Sequence, residues 1–230
     1  MKTIGLIGGM SWESTSEYYK IINKTIKEKL GGLHSARCIM YSVDFEEIAD
    51  LQHKGEWQKL TQLMINFAQR LEAAGADFIV ICTNTMHKMA EEVQDTINIP
   101  LLHIADATAE RIIGQGLRKP GLLGTKFTME EDFYKQRLKE VHNINVIIPS
   151  HTDREIIDSI IYNELCRGII KESSKEKFKE IIGKLISVGA DGLILGCTEI
   201  PLLISQQDVE VPLFDTTTIH SQAAVEFALK

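Results

Sequence analysis

The sequence predicts an α/β protein with mainly parallel sheets, on three observations. Short, continuously apolar runs alternate with stretches of helical periodicity along the chain. Each run closes in a glycine or polar turn before the next helix, the order expected of strand–helix–strand units whose sheets are covered by helices. The same order appears twice, in two stretches of about 115 residues. A chain of 230 residues with 44% hydrophobic and 25% charged side chains has enough apolar surface for one such domain or two small ones. That composition excludes a disordered, collagen-like or disulfide-scaffold chain.

Residues 3–8 (TIGLIG) read as a buried strand ending in the tight turn of Gly8-Gly9. Ser14-Thr15-Ser16-Glu17 then has the capping-box pattern, and Tyr18, Ile21, Ile22, Ile26 and Leu30 fall on one helical face. Residues 37–43 (RCIMYSV) are a second strand. Trp57, Leu60, Met64, Phe67, Leu71 and Ala74 keep a helical stripe over 56–74, stopped by Gly75. Residues 77–82 (DFIVIC) are apolar without alternation after the aspartate, as a parallel strand covered on both faces should be. The second half continues with strands at 120–124, 144–148 and 192–196 and helices at 130–141, 153–167, 174–187 and 217–229.

The repeat is the most informative feature. Gly75-Ala76-Asp77 leads through an apolar run to Thr83, and Gly189-Ala190-Asp191 leads through an equivalent run to Cys197. Upstream, residues 4–9 (IGLIGG) match 120–125 (PGLLGT), and downstream Ile99-Pro100 matches Val211-Pro212. Two units follow: residues 1–104, with the final helix of 213–230 packing back onto them, and residues 105–212. Ligands of open parallel sheets bind beyond the carboxyl ends of the strands. Thr83 and Cys197 are therefore expected to look across one cleft from opposite sides.

Charge and cysteine content narrow the function. A net charge of -7 works against nucleic-acid and anionic-membrane partners. Four cysteines without a CxxC pair or zinc spacing predict a reduced, cytoplasmic protein without a metal. No apolar stretch approaches the roughly 18 residues of a membrane span.

Candidate chemistry sits at the turns. Gly5-Leu6-Ile7-Gly8-Gly9 lacks the G-x-G-x-x-G dinucleotide spacing, so it is either a tight strand-to-helix turn or a place where Gly9 and Met10 offer amides to an anion. Cys197, in Gly196-Cys197-Thr198-Glu199-Ile200-Pro201, reads as a small buried hydrophobe or as a thiol activated at a helix start marked by Pro201. Thr83, before Asn84-Thr85, reads as a helix cap or as part of a carboxylate seat. Cys82 belongs to the strand and should point away. His87 and His103 read as hydrogen-bonded structural residues, and Lys54 and Lys126 as candidate carboxylate partners.

At these residues the sequence resembles the cofactor-independent aspartate/glutamate racemase family. The matching pieces are Gly8-Gly9-Met10-Ser11-Trp12-Glu13-Ser14-Thr15, His34-Ser35-Ala36 leading to Ser42-Val43-Asp44-Phe45, Asn84-Thr85-Met86-His87, Leu123-Gly124-Thr125 and Leu195-Gly196-Cys197-Thr198-Glu199-Ile200. The resemblance implies two three-layer α/β subdomains related by a pseudo-twofold axis, an active site in the cleft between them, a homodimer, no cofactor, and racemisation of an amino acid by two opposed cysteines. Carried over residue by residue, Cys197 matches the second catalytic cysteine, which in the family acts on the L-enantiomer. Asn84, Thr85 and Thr198 match the polar groups around the α-carboxylate and amine, and Met10 and Thr125 match the glycine-turn contacts. Gln52 falls where aspartate racemases often carry an arginine for the side-chain carboxylate.

The departure is Thr83, which stands where the family has its first cysteine. A threonine hydroxyl does not ionise near neutral pH without a partner base. The expectation is an asymmetric racemase that works on L-aspartate or L-glutamate through Cys197 and handles D-substrates poorly. Rival expectations are a hydantoin racemase, maleate isomerase or arylmalonate decarboxylase on the same scaffold, or a binding module that has lost its chemistry. No lysine stands in a Schiff-base context, which argues against a pyridoxal enzyme.

Overall fold

Strand β1 (Ile4–Gly8) is buried along its whole length, because both of its faces are covered. In the computed structural model, which describes residues 1–230, it lies at the centre of a four-stranded parallel sheet with β2 (Cys38–Ser42), β3 (Phe78–Ile81) and β4 (Leu101–Leu102), in the order β2-β1-β3-β4. The sheet belongs to a unit made of residues 1–104 and 220–230; residues 105–219 form a second unit.

Strand side chains alternate between faces, and the two faces of this sheet pack on different helices. Ile7, Ile79 and Ile81 meet the apolar stripes of α2 (Phe45–His53), α3 (Trp57–Ala73) and α4 (Ala90–Gln94), including Ile48, Leu60, Met64, Leu71 and Val93. Ile4, Leu6, Phe78 and Val80 meet Tyr18, Ile22 and Ile26 of α1 (Trp12–Leu30) and Ala224, Val225 and Ala228 near the chain end. Helix α1 starts at Ser11, whose side chain accepts the Ser14 amide. The register aligns Ile7 with Ile81 and Gly8 with Ser42. The Gly9 turn, Val43-Asp44 and the Thr83 turn therefore all leave the sheet at its carboxyl edge.

Three elements of this unit were not visible as periodic patterns, among them the five-residue α4. Helix α2 is only nine residues long; the Asp44 carboxylate accepts the Glu46 amide and starts it. Strand β4 has two residues, below any periodicity signal.

Helix α5 (Ile104–Gly114) begins at the last residue of the 1–104 segment and continues into the second unit, whose three-stranded parallel sheet is β5 (Gly121–Leu123), β6 (Leu193–Leu195) and β7 (Leu213–Asp215), with β6 in the middle. Helices α6 (Lys126–Glu130), α7 (Asp132–His142), α8 (His151–Asn163) and α9 (Glu172–Ser187) fall between β5 and β6. The expected strand at 144–148 is reduced to a single bridge between Gly121 and Ile147. Pro120 has no N–H to lengthen the ladder, and Ser150 already caps α8 through the Asp153 amide. At the base of α7, Asp106 takes a bidentate grip from Arg137 at 2.7 Å and a bond from His142 at 2.9 Å.

The last helix, α10 (Thr216–Leu229), starts in the second unit and finishes in the first. Asp215 caps it by accepting the Thr217 amide and the Thr218 hydroxyl, and the Thr216 hydroxyl donates to Leu195 O. No helix is long and apolar enough to cross a membrane.

Candidate active site

At the carboxyl edge of the first sheet, the glycine turn is fixed from both sides. Gly9 has φ +91°, and a Cβ there would overlap the backbone of Val43. Its amide donates to Thr15 Oγ1 (2.7 Å), whose hydroxyl donates to Ser11 O (2.9 Å). Met10 is buried in the same apolar cluster as Met86 and Ile48. Gln52, on α2, is also buried, and its Nε2 donates to Met86 Sδ at 3.1 Å. Among the residues marked in the sequence, the structure thus gathers Met10 and Gln52 with the segment that follows Thr83.

That segment is a 3-10 turn, Thr85–Met89, entered through Thr83 and Asn84. Asn84 and Thr85 are buried; Thr83 is half-exposed. The carbonyls of Cys82 and Thr83 are both occupied: Ser14 Oγ donates to the first (3.0 Å) and His87 Nδ1 to the second (2.8 Å). Cys82 itself is fully buried among Tyr18, Ile22 and Val80, and that burial raises its thiol far beyond ionisation near neutral pH. It takes no part in the edge.

The second sheet carries Thr125 and Cys197 at its own carboxyl edge. Thr125 caps α6 by accepting the Thr128 amide. Gly196 donates to Leu123 O at 2.7 Å, which places the start of the Cys197 turn beside Gly124. Cys197 is 9% exposed, and its thiol donates to Glu199 Oε2 at 3.0 Å. Thr198 Oγ1 donates to the same oxygen at 2.7 Å.

The thiol is held well above its ordinary range, first by burial and then by the facing Glu199 carboxylate, with only the Glu199 amide pulling the other way. Of the two readings of Cys197 offered by the sequence, this environment favours the buried one and gives no support to a thiol acidified by a helix start. The element after Cys197 is a three-residue 3-10 turn, Ile200–Leu202, too short to supply a macrodipole. What stands next to the sulfur is a base. The arrangement therefore offers a neutral thiol hydrogen-bonded to a carboxylate, a pair between whose sulfur and oxygen a proton can pass.

Lys54 and Lys126, the alternative carboxylate partners, are spent on surface ion pairs with Asp50 and Glu155.

A family model described as Asp/Glu/hydantoin racemase matches residues 7–224. The chain belongs to the Asp/Glu/hydantoin racemase family. Over the full length of both chains it superposes on the crystal structure of a candidate Asp/Glu racemase from Yersinia pestis, with a TM-score of 0.95 and 57% identity. An aspartate racemase homologue from Pyrococcus horikoshii OT3 matches over the full length with a TM-score of 0.88 and 40% identity. The broad specificity amino-acid racemase RacX of Bacillus subtilis is 28% identical over 233 residues, covering 96% of each chain.

In this racemase-family chain two residues near Cys197 escaped the sequence reading. Glu199 lies inside the Gly196-Cys197-Thr198-Glu199 motif, where its distance of two positions from the thiol was the available signal. Tyr162, on α8, is kept protonated by burial and then by Asp158, Cys197, Cys166 and Glu199. Its position reflects tertiary packing, and no spacing in the sequence shows it.

Proposed function

We propose that the protein is a cofactor-independent racemase of aspartate or glutamate, open to other polar amino acids, in which Cys197 removes the α-proton of the L-substrate and Thr83 serves the opposite face of the α-carbon. The Cys197–Glu199 pair carries this reading, because it gives an otherwise un-ionised thiol a proton acceptor 3.0 Å away. The names of the relatives, an aspartate racemase homologue and a broad specificity amino-acid racemase, support the substrate class.

Proton transfer takes two steps. Glu199 takes the thiol proton; the thiolate takes the α-proton, leaving a carbanion, a neutral thiol and a protonated Glu199. A proton then reaches the other face of the carbon from the Thr83 hydroxyl or a water it orders, and is replaced from solvent, while Glu199 returns its own to solvent. In reverse, Thr83 would have to act as the base, and a neutral hydroxyl is a poor one. The two enantiomers have equal free energy in water, so kcat/KM for net inversion is the same in both directions. The L-preference therefore shows as α-proton exchange: the L-form is deprotonated often and inverted rarely.

Asn84, Thr85 and Thr198 are assigned to the α-carboxylate and amine, with Met10 and Thr125 at the glycine turns. Gln52 is assigned to the side-chain carboxylate. Its amide now faces a thioether, a weak acceptor that a carboxylate readily replaces. The reading includes a homodimer, as the family resemblance implies, and a cytoplasmic setting, in keeping with four free cysteines.

The test is to incubate L- and D-aspartate and L- and D-glutamate in deuterated water without added cofactor and follow α-proton exchange. Faster exchange from the L-forms, abolished by Cys197→Ser, is the expected result. Equal exchange from both enantiomers removes the asymmetry, and binding without exchange makes the protein a binding module. Activity on a hydantoin or maleate instead moves it to another branch of the superfamily.

A further inference from the structure

His87 is 2% exposed, and both of its ring nitrogens are engaged. The Ile104 N–H can only donate, and it points at Nε2 from 3.2 Å; Nε2 is therefore bare. The single ring proton then sits on Nδ1, where it meets the Thr83 carbonyl at 2.8 Å. The hydrogen-bond network alone fixes this tautomer.

The ring is also fixed in orientation. It packs edge-to-face on His103, with centroids 4.7 Å apart, and on His220 at 5.6 Å. His220 is locked in turn: its Nε2 donates to Leu102 O (2.8 Å) and its Nδ1 accepts from the Tyr18 hydroxyl (2.9 Å). Around these rings the sheet faces are packed with aliphatic, methionine and aromatic side chains, among which polar groups such as Asn84, Thr85 and His103 are also buried. An imidazole here does what no apolar side chain can: it presents a donor and an acceptor at a fixed separation between two backbone groups. One of those groups belongs to Thr83 itself, four positions back in the chain. The other is the first amide of α5.

We propose that His87 is a positioning residue for Thr83, a two-ended strut that ties the Thr83 carbonyl to the Ile104 amide and so sets the direction of the Thr83 hydroxyl. This rests on Thr83 handling the proton on one face of the α-carbon. Proton delivery is sensitive to placement, with an error of about 1 Å costing on the order of 10²-fold. The Cys197 half of the reaction does not depend on this strut.

Two rates measured with L-aspartate and L-glutamate in deuterated water separate the roles. One is deuterium incorporation into the recovered L-form, which needs Cys197; the other is appearance of the D-form, which also needs Thr83. In His87→Gln, which keeps an acceptor toward Ile104 but loses the donor toward Thr83, the ratio of exchange to inversion should rise about 10–100-fold. The loss of inversion should fall on kcat rather than KM. His87→Asn places an amide N–H where Nδ1 was and should restore the ratio most of the way to wild type. The two variants are similar in size and polarity, so a general loss of stability acts on both.

Exchange and inversion falling in parallel, or a ratio unchanged in His87→Gln, overturns the positioning role while leaving the racemase reading intact. Wild-type protein that shows neither exchange nor inversion with either substrate overturns the racemase reading, and the role of His87 with it. A Thr83→Val variant whose ratio matches wild type removes Thr83 from the chemistry and also overturns the strut.

Discussion

Cys197 Sγ donates to Glu199 Oε2 across 3.0 Å, so the sulfur nominated for proton transfer is a neutral thiol facing a carboxylate. The pairing changes what must be explained about the reaction. A thiolate formed in advance needs cationic surroundings or a helix start, and Cys197 has neither in the short turn that follows it. In the proposed reaction the thiol ionises only as its proton moves onto Glu199, an uphill transfer for which the direct hydrogen bond supplies the route.

Glu199→Gln keeps the shape of the side chain and removes the base. Exchange from the L-substrate should drop about 10²–10⁴-fold, the usual worth of a positioned acid or base, with KM little changed. The thiol should respond in the opposite sense. Without the facing charge its pKa moves down, so alkylation of Cys197 by iodoacetamide, followed on the Cys197 peptide by mass spectrometry, should set in at lower pH. A variant that keeps wild-type exchange would take Glu199 out of the mechanism.

Thr83→Cys puts an ionisable group at the weak position. α-Proton exchange from the D-enantiomer should rise by about 10²-fold or more, and kcat/KM for net inversion should rise equally in both directions because the equilibrium constant is one. A rise in one direction only would point to an assay far from initial rates rather than to a racemase. No rise at all would mean that residue 83 does not reach the α-carbon.

How much of this was legible in the sequence depends on how local the cause is. The strands β1, β3 and β6 were visible because a strand covered on both faces must be apolar throughout, and α1, α3 and α9 because their stripes run for several turns. The stretch 144–148 is nearly as apolar, interrupted by the exposed Asn145, yet Pro120 on one side and the Ser150 cap on the other leave it one bridge. Cys197 and Thr83 stood out through the repeat. The state of the thiol did not, because it is decided by burial and by which way Glu199 turns. The partners of His87 at Thr83 and Ile104 were equally hidden: the first bond depends on a 3-10 turn and the second spans 17 positions.

Acid should weaken the first unit before the carboxylates titrate. Burial, followed by the neighbouring His103 and His220, pushes the His87 pKa well below its ordinary 6.5, with only the Thr83 and Asn84 backbone opposing. His103, His220 and the Tyr18 hydroxyl are the titratable groups in ring contact or hydrogen-bonded around it. The unfolded chain binds a proton there that the folded chain refuses, so stability is full above about pH 6.5 and falls as pH drops, by at most about 1.4 kcal/mol per pH unit for this one group. Asp106 acts later: burial would raise it, but the bonds from Arg137 and His142 hold it below 3.8, so its contribution is lost only under stronger acid. Urea melts at pH 7.5, 6.5 and 5.5 should show the slope in wild type and a shallower one in His87→Gln. Equal slopes would assign the effect to other groups.

Gly9 and Gly75 are both positive-φ glycines of the repeated segments, and the same substitution meets different surroundings at each. At Gly75, φ is +96° and an added Cβ touches nothing within 4 Å, so Gly75→Ala should cost only the backbone strain, about 1 kcal/mol. At Gly9, φ is +91° and the Cβ would run into the backbone of Val43, which itself donates to Gly8 O at 3.0 Å. Neither side of that contact is a flexible side chain, so the turn or strand β2 must shift. Gly9→Ala should therefore cost several kcal/mol, on the order of 2–4 °C in Tm for each. If the turn also seats the substrate through Met10, its displacement should raise KM as well, whereas Gly75→Ala should leave KM alone. Thermal melts and steady-state kinetics on the two variants separate these effects, and equal Tm losses would show that the contact with Val43 relaxes freely.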